Sequence, residues 1–362
     1  MKYCKSCVMP DTRPGIKFNE DGICYPCLHH AKQKEVDWVQ REEEFVKLCM
    51  KHKELCKDKP YDCIVPASGG KDSHYQVFKM VSYGMRPLIV TVSDWFGHTE
   101  AGQHNFKNLC KLADSFTFLQ DSSVMKEMVK IAFFEEGSPT WPIDAAIYSI
   151  PLYVAKVLGI GLVVYGEDIS STYGGPDAED SPSARKQIKN NVVRPLDRKW
   201  WLERGISLNP MLEYPSEDIV DSLEPIYMSY YFQWSGYENY EFATTIGFKD
   251  ADDEWNRDGC IENYDQIDSL GYMVHPWLKY PKFGHARATD VASNWIREGR
   301  ISRENAIELV KERDHQLDSK ALSDFLNFTG ISESAFWTKV DSLYNRELFI
   351  KDVSGWILKN PI

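Results

Sequence analysis

The sequence predicts an α/β protein: a doubly wound, mostly parallel sheet with an N-terminal zinc knuckle and a helical C-terminal region. Three observations carry this. From residue 60 onward short apolar strands alternate with helical stretches, four of the nine cysteines fall in the first 27 residues, and about the last hundred residues keep a helical period. At 362 residues the chain has room for one large catalytic domain with appendages, or for two domains. The expected division is a Cys4 knuckle over 1–30, a linking helix over 31–59, a nucleotide-binding domain over 60–225, and an aromatic-rich, helical substrate region over 226–362.

Composition narrows the class. Apolar residues make up 43% and aromatics 13%, as in a globular protein and unlike a disordered one. A formal charge of -12 argues against affinity built on neutralising a long nucleic acid, so nucleic acid is an unlikely partner. No uninterrupted apolar stretch of about 18 residues occurs and the N-terminus has no apolar signal core. No membrane insertion and a cytoplasmic location are therefore expected.

The first thirty or so residues have too few apolar side chains to build a core. Cys4-x-x-Cys7 and Cys24-x-x-Cys27, with 16 residues between the pairs, have the spacing of a four-thiolate tetrahedral zinc site. Four thiolates leave zinc no open position, so the metal would fold the segment and not perform catalysis; a redox pair or an iron–sulfur cluster is the alternative. Periodic apolar residues at Trp38, Phe45, Val46 and Cys49 then suggest a helix.

The βα pattern begins with a strand over 61–67, a loop over 68–73 and a helix to about residue 83. A strand over 87–94, a helix over about 99–113 and a short strand over 115–119 follow. A helix over about 143–158 then feeds a strand over 161–165. Ligands of such sheets sit beyond the carboxyl ends of the strands. The polar segment 172–209, with Gly174-Gly175-Pro176, reads as an irregular insertion or substrate loop. Residues 225–248 are crowded with aromatics, and the C-terminal helices are expected to start at caps Ser302, Ser319 and Ser332.

The chemistry centres on Ser68-Gly69-Gly70-Lys71-Asp72-Ser73. A Gly-rich turn between a buried strand and a helix gathers backbone N–H groups and the positive helix end around an anion, and Lys71 and Ser73 add side-chain donors. It is not a Walker A loop, because Val65 stands at the first glycine position and Asp72 follows the lysine.

That loop is similar to the PP-loop of ATP-pyrophosphatases. The resemblance implies a sheet of the adenine nucleotide alpha hydrolase-like type, with the β- and γ-phosphates on the loop and AMP and pyrophosphate as products. It also implies ATP and Mg²⁺ as cofactors, and adenine near Val92 and Asp94 at the end of the second strand. Read together, several further motifs resemble the N-acetyl sugar amidotransferase family, including its WbpG-like and PseA-like members. They are Cys4-Lys5-Ser6-Cys7-Val8-Met9-Pro10-Asp11-Thr12, Cys24-Tyr25-Pro26-Cys27, the loop, Gly166-Glu167-Asp168, Tyr173-Gly174-Gly175, and Lys282-Phe283-Gly284 with Arg287 and Asp290. The chain departs from the family pattern at Asp168, where asparagine is frequent.

The resemblance implies conversion of the acetamido group of a nucleotide-activated sugar into an acetamidino group for surface polysaccharide synthesis. It assigns catalysis to Lys71, Ser73, Glu167, Lys282 and Arg287. Asp290 is explained equally by helix capping. None of the cysteines has glycines on both sides, and Lys2 follows Met1, so no glutaminase nucleophile is visible. The resemblance therefore implies a separate HisH-like glutaminase, with a HisF-like ammonia-channel subunit. The rival readings are a thiolating or otherwise tRNA-modifying enzyme of the same loop type, and a zinc-stabilised adaptor without catalysis.

Overall fold

The computed structural model describes residues 1–174, 180–185, 196–353 and 355–362. Gly175 and Pro176, and much of the expected insertion, lie outside the described residues. Helix α1 (Tyr25–Lys32) starts at Cys24 as its N-cap and carries Cys27 in its first turn, and α2 (Trp38–Leu55) starts at Asp37, whose carboxylate accepts from Gln40 N. The αβ alternation then runs β1 (Cys63–Pro66), α3 (Lys71–Ser82), β2 (Pro87–Ser93), α4 (Glu100–Leu109), β3 (Ser115–Leu119), α5 (Ser122–Ile131), α6 (Trp141–Leu158) and β4 (Leu162–Tyr165). The short α7 (Arg198–Leu202) and α8 (Glu217–Asp221) lead into β5 (Glu224–Tyr227). Helices α9 (Gly236–Thr245), α10 (Val274–Trp277), α11 (Lys279–Phe283), α12 (Arg287–Arg297), α13 (Arg303–Arg313), α14 (Ser319–Thr329) and α15 (Glu333–Leu343) complete the helical region. A hairpin of β6 (Phe349–Asp352) and β7 (Gly355–Leu358) follows them.

The five-stranded sheet is parallel throughout, in the order β3-β2-β1-β4-β5. Alternate residues of a strand face opposite sides. Ile64 and Val163 join a core with Trp141 and Ile150 of α6, whereas Cys63, Val65 and Val164 join Val77 and Met80 of α3 with Phe45 of α2. Both faces of the sheet are thus covered, which is why its strands read as continuous apolar runs.

Several expectations need correction. Lys71 and Asp72 belong to the first turn of α3, with Gly70 as N-cap, so the loop is shorter than 68–73. Strand β5 crosses the expected 225/226 boundary and pairs with β4 at Leu162↔Glu224; its Pro225 hid it, and proline is tolerated there because β5 is an edge. Ser302 and Ser332 do cap α13 and α15, but Asp318, not Ser319, caps α14 by accepting from Ala321 N at 2.8 Å. Helix α5 was not anticipated; Asp121 caps it, accepting from Ser123 N and Val124 N at 3.0 Å each.

The cysteine segment docks on the C-terminal helices. Arg303 donates to the Cys7 and Cys4 carbonyls at 3.0 and 3.2 Å, Arg13 pairs with Asp290 at 2.6 Å, and the Thr12 hydroxyl donates to the Phe283 carbonyl at 2.5 Å.

Candidate active site

The strand order reverses between β1 and β4, and the crevice at such a switch point is where ligands of open α/β sheets bind. The turn after β1 and the segment 166–173 after β4 flank it. Gly69 has φ +97°, and a Cβ there would lie 2.9 Å from the Phe106 Cα, so this position requires glycine. Ser73 Oγ accepts from Ser68 N at 3.1 Å and pins the turn. Ser68, Gly69, Gly70 and Ser73 line a cavity of about 110 Å³, closed on its far side by Asn105 and Asp265. Gly70 faces open space there, with only Ser68 Oγ near a built Cβ. A helix start, two glycines and a free volume fit a phosphate group.

A larger cleft of about 200 Å³ lies beside this cradle and shares Asp72, Tyr264 and Asp265 with it. Lys71 is buried and its ammonium lies 2.6 Å from Asp72 and 3.4 Å from Asp265. Burial alone would lower its pKa, but Asp265 and then Asp72 outweigh that and hold it well above the ordinary value. Asp265 is also ion-paired with Arg287. The two cations hold its carboxyl below the usual range against its burial. The loop carrying Asp265 is braced beneath by Arg257, which donates to the Asp265 and Gln266 carbonyls at 2.9 and 3.2 Å and pairs with Glu262 at 3.0 Å. Gln266 has φ +51°, alone among the described non-glycine residues.

Glu167 lies at the mouth of β4 in the same cleft. Burial first, then the charges of Asp72 and Asp265, push it up to about 8, against the opposing pull of Lys71. Sign follows directly: between the ordinary carboxyl range and about pH 8 the folded state holds a proton that the unfolded state has lost, so stability falls as pH rises through that window. Glu167→Gln removes the dependence. Thermal melts of the two forms should diverge in favour of the variant as pH climbs towards 8.5, and parallel curves would show that Glu167 is not held protonated.

Asp168 accepts from Ser170 N at 2.9 Å and from the Ser171 hydroxyl at 2.5 Å, and so starts the helical turn Ser170–Gly174. Its departure from the family pattern therefore has a local conformational use.

Among the residues expected from sequence, Lys71, Asp72, Glu167 and Arg287 meet in the cleft, and Ser68, Gly69, Gly70, Asp72 and Ser73 line the cradle. Lys282 stands apart. Its ammonium donates to the Gly137 carbonyl at 2.9 Å, and it lines neither cavity. Val92 packs against core residues and Asp94 accepts from Phe96 N at 2.9 Å; neither lines the two cavities. Asp290 does not cap α12, whose N-cap is Ala286, but pairs with Arg13 and Lys279. Sequence reasoning missed Asp265, Glu262 and Asn239, which donates to Asp72 at 2.7 Å; each lies in a polar stretch with no motif to mark it. It also missed the knuckle's part in the site, because Tyr25 and His29 of α1 form a wall of the cleft.

The four cysteines are buried with sulfurs within 4.8 Å of one another, the pairs Cys7–Cys24 and Cys4–Cys27 being 3.6 and 4.0 Å apart. A tetrahedron with metal–sulfur bonds of about 2.3 Å has edges of about 3.8 Å, so the set fits zinc. Backbone N–H groups of Cys7 and Cys24 point at Cys4 Sγ at 3.4 and 3.2 Å, as thiolates require. Among the described residues it is the one preassembled group of three or more ligands, so a Mg²⁺ in the cleft would take part of its shell from a nucleotide's phosphates.

A phosphate cradle opening into a cleft with buried cations and a high-pKa carboxyl, at the switch point of a parallel sheet, has the form of a nucleotide-binding site. Residues 258–360, under a third of the chain, match the family described as LPS biosynthesis protein WbpG-like, C-terminal domain. That segment contributes Glu262, Asp265 and Arg287 to the cleft. No curated protein matches the chain by sequence.

Solved structures resemble it loosely. They include a predicted subunit of tRNA methyltransferase from Methanocaldococcus jannaschii (15% identity, 44% of this chain and 71% of that one, TM-score 0.24). Two others are NMN synthetase from Francisella tularensis (11%, 83% and 96%, 0.28) and NAD+ synthetase from Burkholderia pseudomallei (12%, 87% and 93%, 0.27). At these TM-scores no activity transfers. No described helix is long and apolar enough to cross a membrane.

Proposed function

We propose that this protein is an ATP-dependent amidotransferase that adenylates the acetamido oxygen of a nucleotide-activated N-acetyl sugar and lets ammonia displace AMP, giving an acetamidino sugar for surface-glycan synthesis. One observation carries the reading: Lys71 of the phosphate-loop helix and Arg287 of the WbpG-like segment converge on Asp265 in a cleft that also holds Glu167.

An amide oxygen is a poor leaving group until it is linked to AMP. The acetamide oxygen attacks the α-phosphorus, and pyrophosphate leaves. The turn 68–70, the start of α3 and Lys71 bind the departing phosphates and stabilise the charge that develops on them, with Arg287 the second cation on that path. Ammonia then adds to the activated carbon and AMP leaves. Glu167, once it has lost its own proton, would take the proton that the attacking nitrogen sheds, so this role strengthens as pH rises towards and past about 8. Ammonia would come from a separate HisH-like glutaminase, with a HisF-like channel subunit.

Sulfur transfer to tRNA is disfavoured by the cysteines near the loop. Cys63 is buried in β1, where burial and then Asp62 push its thiol well up, and neither Cys63 nor Cys110 lines the two cavities.

The test is mass spectrometry of candidate N-acetyl nucleotide sugars incubated with the protein, ATP, Mg²⁺ and ammonium. A product lighter by about one mass unit, oxygen replaced by NH, is expected together with AMP. ATP cleavage without that product removes the amidination step. Glutamine supporting the same rate as ammonium, with no partner added, removes the separate glutaminase.

A further inference from the structure

The cleft has two ends, and the chemistry above uses only one. Away from Lys71 its wall is built by the cysteine knuckle and the start of α2: Tyr25 and His29 on α1, then Trp38 and Arg41, face Tyr230 and Ser181. This end carries its own cation. The Arg41 guanidinium lies 3.3 Å over the Tyr230 ring, one of its nitrogens bonds Asp180 at 3.0 and 3.1 Å, and the other terminal nitrogen is buried with no partner among the described residues. A buried guanidinium N–H left unbonded costs free energy that an incoming acceptor oxygen recovers. Exposed Lys32 lines the same end, in a chain whose net charge is -12. The tyrosine, histidine and tryptophan rings offer flat apolar faces. Tyr25 and His29 already stack, with centroids 6.1 Å apart and planes 26° off parallel.

Flat rings beside a guanidinium suit a base carrying phosphate. We infer that this end holds the nucleotide of the acceptor, base against the Tyr25 and Trp38 wall and phosphate at Arg41, with the sugar running along the cleft towards Glu167. The inference rests on the function proposed above and adds the place and chemistry of acceptor recognition. It makes the knuckle a substrate-binding element as well as a folding one.

UDP and CMP serve as probes, titrated calorimetrically into the intact protein already saturated with a non-hydrolysable ATP analogue and Mg²⁺. One of them is expected to bind. Arg41→Gln is expected to weaken it by about tenfold or more while leaving the affinity for the ATP analogue unchanged. Trp38→Ala, a half-buried surface change with an independent folding risk, should weaken it too. In turnover with the acceptor, both variants should raise the acceptor KM and leave kcat within about twofold, the pattern of lost binding common to ground and transition states. The inference falls if neither nucleotide binds the saturated protein, or if folded Arg41→Gln and Trp38→Ala bind as the parent does. It falls equally if Arg41→Gln weakens the ATP analogue as much as the probe, since the wall would then belong to ATP. Failure of the analogue to bind the unaltered protein would overturn the phosphate-loop reading instead.

Discussion

Lys71→Ala should reduce acceptor-dependent pyrophosphate release by about two to three orders of magnitude, the usual cost of deleting one preorganised group aimed at developing charge. Lys71 is buried, with Asp72, Asp265 and Glu167 around it, so its removal takes away the positive charge at the mouth of the cradle and leaves carboxylates facing any incoming phosphate. The α3 helix itself should survive, because Gly70 and not Lys71 is its N-cap and alanine suits a first turn. A protein that still folds, with a lowered melting temperature because Asp72 and Asp265 lose a buried partner, and with lost turnover is the expected result; a folded variant retaining more than about a tenth of the rate would remove Lys71 from the chemistry.

Lys282→Ala makes the informative control, since the family resemblance gives both lysines a catalytic part. If Lys282 reaches substrate, the two variants lose kcat/KM alike. Its hydrogen bond to the Gly137 carbonyl instead points to a loss of stability of about 1 to 3 kcal/mol with turnover retained in the folded fraction.

The second large effect is expected at the knuckle. Its apolar content is low and its described contacts to the body include Arg13, Arg297 and Arg303, so a metal held by the four cysteines would supply most of what holds it. Arg297 sits 3.9 Å from both Cys7 and Cys27 sulfurs and donates to the Thr172 carbonyl at 2.8 Å, joining the cysteines to the segment that follows Glu167. Cys24→Ser, or prolonged chelation of the native protein, should remove one equivalent of zinc and expose residues 1–30 to protease. It should also abolish turnover as the α1 wall leaves the cleft. Structural zinc sites are worth about 10 kcal/mol or more in isolated fingers, so a shift of several degrees in the melting temperature is the least expected. A Cys24→Ser protein that keeps its zinc and its turnover would exclude a four-cysteine site.

Much of this was legible along the chain. Strand β1, its glycine turn and α3 were readable because a buried parallel strand is a continuous apolar run and the turn's backbone demands particular residues, with Gly69 confined to positive φ. The two cysteine pairs were readable because metal geometry fixes their spacing. Strand β5 was not, since Pro225 reads as a break unless one knows that the strand lies at the sheet's edge, where only the single bridge Ser183↔Ile226 adjoins it.

Neither was the set of charges that makes the site. Nothing local marks Asp265, an acid in a polar loop, yet it takes the ionic bonds of both Lys71 and Arg287; nothing local excludes Lys282, whose ammonium the fold directs to a carbonyl at the end of another helical turn. The sequence by itself determined the glycine turn between strand and helix, the two cysteine pairs that cluster in space and the alternation that builds the sheet, because periodicity, turn chemistry and ligand spacing act over a few residues. Tertiary structure alone decided which charges share the cleft and that the knuckle walls it, because burial and Coulomb interaction depend on distance in space, which chain separation does not specify.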